Sequence, residues 1–132
     1  MISETSYRRI VSAGGWYDIV VTAPLATPWT FAAFLGFFAS AQAALGAPGE
    51  TPPYSAGLAL FANLMGTVVL IWSVLRIRSP ERRFGRYDAV GRGLFAVWML
   101  YAVLHGANAL AAVFLVPEIA FGLAQALPVR RD

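Results

Sequence analysis

Apolar residues dominate four stretches of the chain, and polar residues gather between them in short segments of distinct composition. Each apolar run approaches the roughly 20 residues an α-helix needs to cross about 30 Å of hydrocarbon. The pattern predicts an all-α integral membrane protein, a compact bundle of four transmembrane helices over 19–45, 56–77, 89–105 and 109–127. Residues 3–13 read as a short N-terminal interfacial helix that stops at Gly14-Gly15, with Trp16 and Tyr17 at headgroup level. One domain accounts for the whole sequence.

Residues 19–45 would rise about 40 Å, too far for a straight crossing, and Pro24 and Pro28 are expected to bend that helix. Ala32, Gly36 and Ser40 make a small-residue stripe suited to close packing against another helix. On the second span Asn63, Gly66, Thr67 and Ser73 share a face that should turn toward protein. The tetrapeptides Gly15-Trp16-Tyr17-Asp18 and Gly85-Arg86-Tyr87-Asp88 echo one another, and each aspartate reads as the cap of the span that follows. Arg92, four residues after Asp88, makes a favourable helical pair with it. His105-Gly106-Ala107-Asn108 reads as a turn, with Asn108 capping the last span. If that turn fails to break the helix, the third span runs over 89–116 and leaves 117–127 as a short outer helix.

Charge adds orientation. The ten basic residues are all arginines, and all but Arg92 cluster at Arg8-Arg9, over 76–86 and at Arg130-Arg131. The loops at 46–55 and 105–108 carry none, so the positive-inside rule places both termini in the cytoplasm. Arginine to the exclusion of lysine points to a GC-rich bacterial genome, hence to a multi-pass protein of the bacterial inner membrane. The first apolar run is too long for a signal-peptide core and is expected to be retained.

Composition then excludes chemistry. Without cysteine there is no dithiol redox centre and no thiolate metal site, and one histidine leaves little room for a metal cluster or a bis-histidine haem. No cofactor is expected. A net charge of +3 on a soluble protein would raise nucleic acid as a partner, but here the arginines sit at the ends of apolar runs and no nucleic acid is expected. Phosphate-binding glycine loops, paired-histidine motifs and nucleophile elbows are all missing from the sequence.

One residue carries most of the remaining interest. Glu118 lies inside the apolar stretch 109–127, directly after Pro117, and ionisable groups within a bilayer are costly and commonly functional. It is expected to face inward with Gln125, near mid-membrane, within reach of Asn63 and level with Trp98. There it would hold a proton or meet a cationic ligand. Tyr101 and His105 share a face with Trp98 and complete the candidate ligand-binding set, with His105 at the outer mouth. The expected partners are membrane lipid or a lipophilic small molecule, within a homo-oligomer or a larger membrane complex.

The leading expectation is therefore a non-enzymatic bundle that binds a lipid or lipophilic ligand, or serves as an accessory subunit. A proton-coupled transporter of lipophilic cations is the alternative. A membrane enzyme is weaker, because His105 would stand about 13–15 Å from Glu118, too far for one proton relay.

Overall fold

A computed structural model describes residues 1–130; Arg131 and Asp132, the first of which was counted in the C-terminal basic cluster, lie outside the described residues. The chain is 80% helical. Its helices are α1 (Glu4–Thr22), α2 (Pro28–Leu45), α3 (Ala56–Arg78), α4 (Arg82–Leu104) and α5 (Leu115–Ala126), with 3₁₀ turns at Ala23–Leu25 and Ala109–Phe114. Four segments are long and apolar enough to cross a membrane: Pro28–Leu45, Ala56–Arg78, Arg82–Leu104 and Ala109–Ala126. Their number and composition suit a multi-pass membrane protein.

The N-terminal third differs from expectation. Instead of an interfacial helix ending at Gly14-Gly15, α1 runs unbroken from Ser3, whose Oγ accepts from the Ser6 N–H at 3.1 Å, to Thr22. Two central glycines each weaken a helix by about 1 kcal/mol, but here they permit close packing that offsets the loss. A side chain at Gly15 would stand 3.0 Å from the Ser73 carbonyl oxygen of α3. The expected single span 19–45 is accordingly two elements. Pro24 lies in the 3₁₀ turn, and Pro28 opens α2 at the position where its missing N–H leaves no bond unmade. Thr27 caps α2, accepting from the Thr30 N–H.

Other caps follow the sequence pattern. Ser55 caps α3, and Asn108 accepts from the Leu110 N–H at 2.9 Å. His105-Gly106 does break the helix, Gly106 taking a φ of 101° that an L side chain rarely adopts. The fourth apolar segment thus turns back along α4. Asp18 and Asp88 cap nothing: Asp18 lies in the closing turns of α1, which ends at Thr22, and α4 begins at Arg82 rather than at residue 89.

Two helix pairs make the body. Antiparallel α1 and α3 pack along their length, as do α4 and α5, whereas the backbones of α3 and α4 stand apart although only Ser79–Glu81 joins them, bridged near that turn by Trp72 and Arg76 reaching Phe84 and Asp88. At one end Ile2 exchanges backbone hydrogen bonds with Pro128 (3.0 Å) and Arg130 (2.9 Å), and Arg86 donates to the Leu127 carbonyl at 2.7 Å. At the other, the Glu50 N–H donates to Gly106 O at 2.8 Å and Asn108 N–H returns to Glu50 O at 3.0 Å. Ile2, Arg130 and the arginine-rich segment 76–86 therefore share one end of the bundle.

Burial is inverted relative to a water-soluble domain. Buried hydrophobic residues are few (Tyr7, Val11, Phe31, Ala59), while Thr22, Ser73, Arg76, Asp88, Arg92, Asn108, Glu118 and Gln125 are buried polar residues. Large apolar side chains such as Val20, Phe61, Leu104 and Val116 face outward. The Ala32, Gly36 and Ser40 stripe also faces outward, with nothing within 4 Å of a side chain placed at Gly36. Within one chain it is not a packing face.

Candidate functional site

Arg92 stands midway along α4 and is only 2% exposed. An arginine takes five donors wherever it goes, and buried guanidinium is tolerated only when those donors are met. Here they are. Nε donates to Asp88 at 2.9 Å, one turn earlier; Nη1 donates to Glu118 on α5 at 3.1 Å; Nη2 donates to Asp18 on α1 at 2.8 Å and to the Gly14 carbonyl at 3.4 Å. The Phe121 ring lies against its plane, 5.0 Å from the guanidinium carbon.

A second arginine completes the cluster. Arg76, from the end of α3, is fully buried and ion-pairs with the same oxygens of Asp18 and Asp88 that Arg92 uses. Trp72 on α3 donates its indole N–H to the other Asp88 oxygen at 3.0 Å. Ser73 supports Arg76 by accepting at 3.3 Å while donating to Val69 O at 2.7 Å. Four helices thus meet in one network of two guanidiniums and three carboxylates. If all five are ionised, one negative charge is in surplus.

Local sequence explains how so many long side chains fit. Gly14 leaves room on α1: a side chain there would stand 3.0 Å from Gln125 Nε2 and 3.1 Å from Arg92 Nη2. Gly85 does the same lower on α4, where an added carbon would meet the Tyr7 hydroxyl at 2.5 Å. That hydroxyl donates to the Gln125 carbonyl at 2.9 Å, and burial pushes its pKa up, so it remains a donor.

Between α3 and α4, beyond the contacts of Trp72 and Arg76 with Asp88, a cleft of about 540 Å³ opens above this network. Its walls are apolar, including Met65 and Val68 on one side and Phe95, Trp98 and Met99 on the other. Asp18, Asp88, Arg92 and Glu118 form its polar floor. Cavities of this size, apolar with a few convergent polar groups, are the usual form of small-molecule sites.

The candidate residues read from the sequence separate into three groups. Glu118 and Trp98 line the cleft. Gln125 is fully buried beside the arginines, and neither its amide nitrogen nor its amide oxygen has a partner among the described residues. Asn63, Tyr101 and His105 are not part of the site. Asn63 donates to Leu25 O at 2.8 Å, one half of the joint that holds the 3₁₀ turn on α3. It is Arg92, not Asn63, that partners Glu118. Tyr101 and His105 are exposed and stack on each other at 4.0 Å, and His105 Nδ1 lies 2.8 Å from the Tyr101 carbonyl.

Sequence reading missed Asp18, Arg76, Asp88 and Arg92. A signal was present for Arg92, a lone arginine inside an apolar segment, which the costs of intramembrane charge mark as strongly as Glu118. The repeated Gly-x-Tyr-Asp was another, since both aspartates bind the same two guanidiniums. No family profile matches this chain, and comparison with curated proteins and with solved structures finds no similar relative at a significant level.

Proposed function

We propose that the protein is a non-enzymatic bundle of the bacterial inner membrane that holds a lipophilic molecule in the cleft between α3 and α4. The observation that carries this reading is the cleft itself, an apolar space left between two helix pairs and floored by a polar network. Two helices joined by so short a turn would ordinarily pack together and bury their facing side chains. Here Met65, Val68, Phe95 and Trp98 remain 40% exposed or more. A ligand with an apolar body and a polar head would cover them.

Placing the photo-crosslinker p-benzoylphenylalanine at Phe95 tests this, with Gly93 on the neighbouring exposed face as control. Irradiation in membranes, followed by mass spectrometry of the adducts, is expected to show a lipophilic species at 95 that is enriched over 93. Adducts of bulk phospholipid in equal proportion at both positions would overturn the reading. The substitution Gly91→Phe should abolish the enriched adduct. Gly91 lines the cleft with nothing within 4 Å of an added side chain, and losing a helix glycine should not weaken α4.

We further propose that both termini are cytoplasmic. Arg8, Arg9, the 76–86 segment and Arg130 share one end of the bundle, and the arginine-free loops share the other. An alkaline phosphatase reporter, active only outside the cytoplasm, is expected to be silent when fused after Asp132 and active when inserted within 46–55. The reverse pattern would overturn the orientation.

A further inference from the structure

The floor of the cleft also distinguishes between possible headgroups, and this inference rests on the ligand-binding reading just given. An anion would need a free guanidinium edge, and the floor offers none. All three nitrogens of Arg92 already donate to Asp88, Glu118 and Asp18. Both terminal nitrogens of Arg76 are engaged with the same two aspartates, leaving only its Nε unpartnered among the described residues. The carboxylates, by contrast, outnumber the guanidiniums by one. An uncompensated charge inside hydrocarbon costs several kcal/mol, so charge balance in the site calls for one proton or one cation.

The three acids are not equally held. Asp18 and Asp88 each bridge both arginines, and Asp88 accepts from Trp72 as well. Glu118 touches Arg92 alone, through one oxygen at 3.1 Å, and it lines the cleft. Its other oxygen has no hydrogen bond among the described residues. Farther along α5 Gln125, fully buried, carries an amide with no partner among the described residues, its nitrogen near Arg92 Nη2 across Gly14. The aromatic lining suits a positive headgroup too, since Trp98, Phe95 and Trp72 border the cleft and aromatic rings attract cations.

We propose that the cleft takes an amphiphilic monocation, whose charge replaces one proton held on the Asp18–Asp88–Glu118 carboxylates, with Glu118 as the exchanging member. In the exchange the Glu118 carboxyl O–H bond breaks, the proton passes to solvent, and the carboxylate left behind faces the incoming cation. Net charge in the site is the same before and after. The groups around Glu118 fix this balance: Tyr17 and Asp18 from α1, Asp88 and Arg92 from α4, and Arg76 from α3 through its pairs with the two aspartates.

Two ions of the same shape and opposite charge, tetraphenylphosphonium and tetraphenylborate, test it on the purified full chain in dodecyl maltoside micelles. Calorimetric titration is expected to show saturable binding of the phosphonium and none of the borate. Repeating the titration in buffers of different ionisation enthalpy should give one proton released per phosphonium bound. Its affinity should rise about tenfold per pH unit while that proton is present, since bound cation and bound proton exclude each other. Glu118→Gln, which leaves two acids for two arginines, should lower the affinity at least tenfold and abolish the proton release, with Gly91→Phe blocking the site by bulk.

Equal binding of both ions, or phosphonium binding without proton release, would overturn the exchange while leaving the ligand-binding reading intact. Failure of both ions to bind, with the enriched adduct at position 95 still seen, overturns the cationic headgroup alone. If that adduct is missing too, both readings fall. Should Glu118→Gln not fold, proton release and ion selectivity of the unmodified chain decide the matter.

Discussion

Arg92→Met is expected to destabilise the bundle by about 3–5 kcal/mol, the usual consequence of removing one partner from a buried ion network. Methionine fills much the same space, so the loss is electrostatic. Asp18, Asp88 and Glu118 would be left facing Arg76 alone, and Arg76 does not touch Glu118. Gly14 O would lose its donor as well. The double variant Arg92→Met/Glu118→Gln removes one of the unpaired acids and should recover part of the loss. That makes the two changes less than additive, as for any pair of groups in one network. Melting followed by far-ultraviolet circular dichroism in detergent reads both effects. A single variant within about 1 kcal/mol of the parent would show that the network contributes little to the fold.

Gly66→Leu is expected to be the most damaging change outside that network. A carbon added at Gly66 would stand 2.9 Å from both the Ala26 amide nitrogen and the Leu25 carbonyl carbon, and backbone cannot move aside as a side chain can. Overpacking of this kind costs about 1–3 kcal/mol, with the upper end expected here. The displaced turn would also pull Leu25 O away from Asn63, one helical turn before Gly66. Gly57, on the same helix with open space around it, gives the control: Gly57→Leu should leave the melting temperature level or raised. Equal tolerance at the two positions would sink the argument that close packing at Gly66 holds the 3₁₀ turn in place.

Much of this architecture was legible in the alternation of apolar runs and polar segments. The helix starts at Ser55 and Asn108 and the break at Gly106 follow from capping chemistry and from glycine's freedom at positive φ. Gly14-Gly15 misled, because a glycine pair signals either a helix end or a close helix crossing, and only the partner helix decides which. The extent of α4 was underestimated for a related reason. Asp88 has the right chemistry for a cap, but its side chain reaches across the bundle to Arg76. The site was half legible. Glu118 stood out as an acid among apolar neighbours, while Asp18, Arg76 and Asp88 sit near helix ends, where charge is expected and draws no notice. Their convergence depends on α1 packing against α3 and on α4 packing against α5, which is long-range information that no local pattern carries.

The gap between α3 and α4 has one more consequence. Its lining includes side chains exposed on the flank of the bundle, such as Val68 and Phe95. In a bilayer, an occupant would come from the population already dissolved among the acyl chains. Occupancy would then follow the partition coefficient of the molecule as much as its intrinsic affinity. Two compounds bound equally well by the floor would compete according to their solubility in fat.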